Sequence, residues 1–347
     1  MDILRNSARG TGLTLQGCDK TLSVDAGAPM RLLARCPKYA VTPMLTLPDL
    51  AAEIGVAAVH LKDERSRMGL GSFKALGAAY VIARDAERGN DMSARTYVTA
   101  SAGNHGLSVA MGARVFGAKA VIHIAETVPE DFAQRLAALG AEVVRKGAIY
   151  EDSMAAAAEN AAANGWELLS DSSWPGYLDP PHGVMEGYLV LAAEAADQLP
   201  EPPTHIFLQA GVGGLAGAIA AYARHVWGDA PTIVVVEPDA APALIQSMRA
   251  GAVTVTAGPT STMGRLDCKE PSLLALAALS RDADFFVTLG DGAVDAALTR
   301  AEGLGIETSP SGGAGLAAAM HGDLDRDAIG LGPTSRVFAI LSEGKIT

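Results

Sequence analysis

The sequence predicts an α/β fold built from parallel βαβ units in two domains, and three observations carry that prediction. Short apolar runs of strand length alternate with helix-length runs along most of the chain, the order that βαβ units require. Two of the strand-to-helix junctions, Ser101–Gly106 and Ala210–Gly217, are glycine-rich, as loops at the ends of parallel strands often are. The chain's 347 residues, 49% hydrophobic and 19% charged, suffice for two packed cores and exceed what one compact core holds.

Taken in order, the first thirty residues carry little periodicity, and 31–37 is expected to begin an arm crossing another part of the protein. A turn at Thr42-Pro43 precedes a helix at 47–54, with Asp49 and Glu53 on its polar side, and a strand at 57–62. Lys62-Asp63-Glu64-Arg65 then reads as a solvated or ion-paired loop. Gly69 and Gly71 supply a tight turn, Ser72 a cap, and 75–83 a buried helix, which puts Lys74 in a first helical turn.

Next come a strand at 97–100, a helix at 107–113, a strand at 120–124, a helix at 128–139, a strand at 141–145 and an alanine-rich helix at 150–164. Residues 171–177, with Trp174, Pro175, Gly176 and Tyr177, suit an ordered lid or crossover. A helix at 187–196, a strand at 205–209, a glycine loop and a helix at 218–226 follow. A strand at 232–236 ends in Glu237-Pro238-Asp239, and a helix at 241–249 leads to a polar loop at 261–272, long enough to suggest function. A strand at 285–289, helices at 292–302 and 314–320, with a loop at 307–313 between them, and a strand at 337–341 lead to Ser342-Glu343-Gly344. With no repeat, low-complexity stretch or flexible linker, the domains must be joined by more than one crossing of the chain.

The balance of 39 acidic against 27 basic residues, net −12, argues against nucleic acid or an anionic membrane as partner. No signal-peptide pattern and no apolar run of bilayer length is visible, so a cytoplasmic location is expected. Cys18, Cys36 and Cys268 are odd in number and lack ligand spacing, which points to reduced thiols and no metal.

Lys74 is costly at the start of an apolar helix. It is either a snorkelling lysine or an amine with a lowered pKa, able to condense with an aldehyde as a Schiff base. The amides of Gly211, Val212, Gly213, Gly214 and Leu215 can converge on one phosphate at a helix N-terminus. A dinucleotide fold with Glu237 on a ribose is the competing reading of that loop. Ser101–Gly106 forms a second anion site, suited to a carboxylate, with Asn104 able to donate to a phenolate-like oxygen and His105 capping or packing. Ser342 lies where an open parallel sheet places ligand contacts, and its hydroxyl can bond a ring nitrogen.

Ser72-Phe73-Lys74, Ser101-Ala102-Gly103-Asn104-His105, the 211–217 loop and Ser342-Glu343-Gly344 together resemble the fold type II pyridoxal phosphate enzymes, the tryptophan synthase β and threonine dehydratase superfamily. Tyr39-Ala40-Val41-Thr42-Pro43-Met44, Lys62-Asp63-Glu64, Pro203 through Gly213, Val236 through Asp239 and Thr262 through Pro271 are similar to diaminopropionate ammonia-lyases within it. That resemblance implies two open, twisted, parallel-type sheets flanked by helices, with a large cofactor-binding domain of 1–84 and 186–347 and a small domain of 85–185. It implies pyridoxal 5'-phosphate linked to Lys74, flanked by Phe73, with its phosphate on Gly211–Leu215, its ring oxygen on Asn104 and its ring nitrogen on Ser342. Ser101, Ala102, Gly103, Asn104 and His105 would hold a small amino acid, and Lys74 would take its Cα proton. The activity implied is α,β-elimination of ammonia from a 2,3-diaminopropionate-like L-amino acid, in a homodimer.

Two departures stand out. The ammonia-lyases carry an aspartate where this chain has Ala102, which leaves Asp171 as the acidic candidate and favours L over D substrates. Pro310-Ser311-Gly312-Gly313 replaces a Gly-Glu-Ser-Gly type of segment. Serine, threonine or hydroxyaspartate dehydration is the alternative within the class; a nucleotide-dependent oxidoreductase or a non-catalytic amino-acid sensor lies outside it.

Overall fold

The computed structural model describes residues 1–345. In chain order they form β1 (Ile3–Arg5), α1 (Gly27–Leu33), β2 (Met44–Thr46), α2 (Pro48–Ile54), β3 (Ala58–Asp63), α3 (Lys74–Glu87), β4 (Thr96–Ala100) and α4 (Asn104–Phe116). Then come β5 (Lys119–Ile124), α5 (Glu130–Ala138), β6 (Glu142–Arg145), α6 (Tyr150–Asn164), β7 (Glu167–Leu168), α7 (Asp179–Gln198), β8 (His205–Gln209) and α8 (Gly214–Trp227). The remainder holds β9 (Thr232–Pro238), α9 (Ala243–Ala250), α10 (Leu273–Asp282), β10 (Phe285–Leu289), α11 (Asp291–Glu302), α12 (Pro310–Met320) and β11 (Arg336–Leu341).

The strands make a seven-stranded sheet in the order β1-β10-β9-β8-β11-β3-β2 and a four-stranded sheet in the order β6-β5-β4-β7. The five inner strands of the large sheet and all four of the small one run parallel, while β1 and β2 pair antiparallel at the two edges. This is the α/β architecture of parallel sheets flanked by helices that the alternating pattern predicts.

Side-chain alternation along the large-sheet strands feeds a separate core on each face. Ile206, Leu208, Ile233, Val235, Phe338 and Ile340 pack into one core with α3, α7, α8 and α10. Phe207, Val234, Val236, Val337, Ala339 and Leu341 pack into the other with α2, α11 and α12. Helices α3 and α7 cross in close contact because two glycines face each other. A methyl on Gly187 would lie 2.6 Å from Leu76 O, and one on Gly77 would lie 2.7 Å from Val184. That crossing brings Tyr188 of α7 to the start of α3.

The structure corrects the sequence reading in four places. The first thirty residues contain β1 and most of α1; a three-residue strand and a seven-residue helix are too short to show a period. The helix expected at 187–196 begins at Asp179, since Pro180 and Pro181 fall in its first turn, where the missing N–H groups cost nothing. Residues 310–313, expected in a loop, form the first turn of α12, with Ser309 Oγ accepting from the Gly312 amide at 2.9 Å. Of the two readings of Lys62–Arg65, the ion-paired one holds and the solvated one falls. Lys62 and Glu64 are fully buried, with Arg67 and Glu194 as partners.

Candidate active site

Lys74 opens α3, and the turn ahead of it needs left-handed backbone at Met68 (φ 51°), Gly69 (φ 73°) and Gly71 (φ 78°). Glycine adopts that conformation freely; at Met68 it costs about 1–2 kcal/mol. Ser72 Oγ accepts from the Lys74 amide at 3.3 Å. The Lys74 ammonium is ion-paired with Asp171, which lies in the loop between β7 and α7. Burial pulls Lys74 down, yet the Asp171 carboxylate outweighs it and holds the amine above the ordinary lysine value. This reverses the sequence expectation of a lowered pKa, which weighed desolvation without a partner. Burial likewise pushes Asp171 up, and Lys74 prevails, holding the carboxyl below its usual range.

Phe73 meets Tyr188 edge to face, with ring centroids 4.9 Å apart, and Lys74 Nζ lies 5.3 Å from the Phe73 centroid. The buried Tyr188 hydroxyl has no hydrogen-bond partner among the described residues and lies beside the Lys74 amine. Sequence reasoning missed it, because one tyrosine in an apolar helix carries no local signal.

The loop between β8 and α8 behaves as its glycines suggest. Gly213 caps α8 with φ 97°, and none of the five amides of Gly211 to Leu215 donates to a backbone or side-chain oxygen among the described residues. A methyl on Gly211 would stand 3.0 Å from Cys268 Sγ and 3.1 Å from Arg265 O, so a larger residue would crowd the loop. An array of unpartnered amides at a helix N-terminus fits a phosphate, and the residues present therefore suit pyridoxal phosphate. Glu237 does not serve a ribose. Its two carboxyl oxygens accept from the Leu244 and Ile245 amides at 2.7 and 2.8 Å, at the start of α9, which removes the dinucleotide reading.

The loop between β4 and α4 supplies the second half of the cleft. Ser101 Oγ accepts from the Gly103 and Gly106 amides at 3.2 and 3.0 Å, so the hydroxyl braces the loop from within. The amides of Ala102, Asn104 and His105 have no protein acceptor among the described residues. His105 is buried, its Nε2 on Leu169 O at 2.8 Å, and burial lowers its pKa. The Asn104 side-chain amide donates to Glu343, which also accepts from Ser309 Oγ. Burial pushes the Glu343 carboxyl up. Ser342, buried at the end of β11, accepts through its carbonyl from the Phe73 amide at 3.2 Å. Arg265, which the sequence reading did not single out within the 261–272 loop, reaches across and donates to Ala102 O at 2.9 Å.

The structure thus gathers Lys74, Asp171, Gly211–Leu215, Ser101–His105 and Ser342 into one neighbourhood: Lys74 pairs with Asp171, a methyl on Gly214 would lie 3.9 Å from Asp171 O, Asn104 meets Glu343, and the Phe73 amide donates to Ser342 O. A diaminopropionate ammonia-lyase of Salmonella typhimurium is 33% identical over 80% of this chain and 74% of its own. The Escherichia coli diaminopropionate ammonia-lyase is 35% identical over 73% of this chain and 69% of its own. A crystal structure of the Escherichia coli enzyme, in complex with an aminoacrylate-PLP azomethine reaction intermediate, superposes with a TM-score of 0.87 at 30% identity, covering 99% of this chain and 94% of that one. The family described as pyridoxal-phosphate dependent enzyme matches residues 36–343. That stretch runs from the approach to β2 through every loop of the cleft, and the chain belongs to the pyridoxal-phosphate-dependent enzymes.

Proposed function

We propose that this protein is a pyridoxal-phosphate-dependent lyase that eliminates ammonia from a small L-amino acid of the 2,3-diaminopropionate type. Diaminopropionate and one water would leave as pyruvate and two molecules of ammonia. The observation that carries the reading is the Lys74–Asp171 pair at the start of α3, set beside the Gly211–Leu215 amides, none of which meets an oxygen acceptor among the described residues. The identity to diaminopropionate ammonia-lyases supports it further.

In this reading Gly211, Val212, Gly213, Gly214 and Leu215 hold the cofactor phosphate, Ser342 faces the ring nitrogen, Asn104 the ring oxygen, and Phe73 borders the ring. Bound there, pyridoxal phosphate withdraws electrons from the substrate Cα. The Ser101–His105 loop holds the substrate carboxylate through the Ala102, Asn104 and His105 amides. Lys74 Nζ takes the Cα proton, and Asp171 steadies the ammonium that results. Ala102 offers no group that can exchange a proton on the opposite face, so the L isomer is preferred, by about 10²–10⁴ in kcat/KM. The large domain would be 1–84 with 186–347 and the small one 85–185, a division supported by the four-stranded sheet lying within Thr96–Leu168. The reading includes a homodimer, to be checked by sedimentation, and cytoplasmic residence, to be checked by cell fractionation.

The test is product stoichiometry with the purified, cofactor-loaded protein. Two ammonia per pyruvate from L-2,3-diaminopropionate, at a rate above that for L-serine, is the expected result. Faster turnover of serine, threonine or 3-hydroxyaspartate, with one ammonia per 2-oxo acid, would move the protein to the dehydratases.

A further inference from the structure

Arg265 stands out by what it lacks. It lies in the loop between α9 and α10, where its amide donates to Ser311 Oγ at 3.0 Å, and its arm lies across the Ser101–Gly103 loop of the small sheet. A methyl on Gly103 would come within 3.2 Å of Arg265 Cδ and Nη1, so guanidinium and loop are in van der Waals contact. Nη1 donates to Ala102 O at 2.9 Å, while Nε is buried with no partner among the described residues. A guanidinium has five N–H donors in a planar fork and cannot shed its charge. Leaving the Nε–H dry and unmet is costly, and a carboxylate matches the fork. Glu343 is near enough to feel the charge but is held by Asn104 and Ser309 instead.

The unmet Nε of Arg265 and the unpartnered amides of Ala102, Asn104 and His105 belong to the same corner of the fold, since Nη1 of that fork already touches Ala102 O. We propose that Arg265 grips the carboxylate of the amino-acid substrate, opposite the amides of the Ser101–His105 loop. This rests on the reading of the cleft as an amino-acid site and adds the residue that selects a free acid. One partner comes from the large sheet's loops and the other from the small sheet's, so a bound carboxylate also ties the two together.

The experiment uses the cofactor-loaded protein and two probes without a Cα hydrogen, which cannot be turned over: 2-methylalanine and its amide. In the unmodified protein the acid binds about 10- to 100-fold more tightly than the amide by calorimetry. In R265Q that preference falls to near unity, and KM for L-2,3-diaminopropionate rises by about the same factor while kcat changes by less than about 3-fold. R265K, which keeps the charge and loses the fork, keeps part of the preference. If R265Q weakens both probes equally, or leaves the preference intact, Arg265 braces the loop only and the proposal is overturned. Stoichiometry of turnover in the unmodified enzyme is indifferent to that result, so the lyase reading stands or falls separately.

Discussion

Two arginines, the fully buried Arg67 and the half-buried Arg265, behave differently. Arg67 is fully buried and every nitrogen of its fork is engaged: Nε on Glu64 at 2.7 Å, Nη1 on Ala40 O and Glu194 at 2.9 Å, Nη2 on Glu64 and Glu194 at 2.7 Å and Thr42 at 2.9 Å. Lys62 joins through Glu194, Thr42 O and Gln198 at 2.7 Å, which balances two cations against two carboxylates. Around Arg265 the balance is left open, with a dry Nε, free loop amides and a Tyr188 hydroxyl without a partner. A closed polar network holds a fold in register. An open one, on the same scaffold, is a place for something to bind.

The largest effect that separates the two regions is expected at Lys74. Lys74→Ala should lower turnover by at least about 10²–10⁴-fold with little change in thermal midpoint, and the cofactor should survive gel filtration at the amide cradle but not denaturation. Turnover near that of the parent enzyme would remove Lys74 from the chemistry. Arg67→Met should do the opposite. Stranding the Glu64 and Glu194 carboxylates in the core should cost about 3–5 kcal/mol in denaturant unfolding, while kcat of the folded fraction falls far less than in Lys74→Ala. An unchanged midpoint would mean that the network is not what holds the 62–72 segment.

Gly211→Ala probes the cradle alone. Its methyl would sit 3.0 Å from Cys268 Sγ and 3.1 Å from Arg265 O. We expect cofactor affinity, followed by fluorescence titration, to fall about 10- to 100-fold with stability within about 1 kcal/mol. Full affinity would show that the loop has room to shift. The smallest effect concerns pH. Burial holds His60, His105, His123 and His205 below the ordinary histidine value of 6.5. The unfolded chain takes up these protons as pH drops through about 6.5 and the folded chain resists. Their contribution to stability is therefore full above that pH and is lost progressively below it, toward the lower folded values. His123, whose two ring nitrogens both lack partners among the described residues, should account for part of the loss. His123→Leu should flatten the midpoint-against-pH curve between about pH 5 and 6.5; an unchanged slope would assign the loss to the other three.

What was legible in the sequence was local. Gly69, Gly71 and Ser72 ahead of Lys74, and the glycines at 211–214, state their backbone needs within a few residues, and the parallel strands feed loops to one edge wherever the alternation holds. What was not legible depends on distance. Lys62 and Glu64 read equally as a solvated or an ion-paired loop until Glu194, more than a hundred residues on, supplies the partner. Lys74 looks like an amine with a lowered pKa until Asp171 arrives from beyond the small sheet. Tyr188 and Arg265 are ordinary residues in sequence, and only their unmet hydrogen bonds mark them.

The strand order has one more consequence, for how the molecule is made. β11, the last strand in sequence, lies between β8 and β3 and hydrogen-bonds to both. On a ribosome, β3 emerges early and waits for a neighbour some 270 residues downstream, a count from Ala58–Asp63 to Arg336–Leu341. The four-stranded sheet, complete by Leu168, can assemble meanwhile from near neighbours. Until β11 arrives, β3 and β8 each present one bare apolar edge during synthesis. A nascent chain stalled short of β11, with both inner edges unpaired, is by the same geometry a client for chaperones.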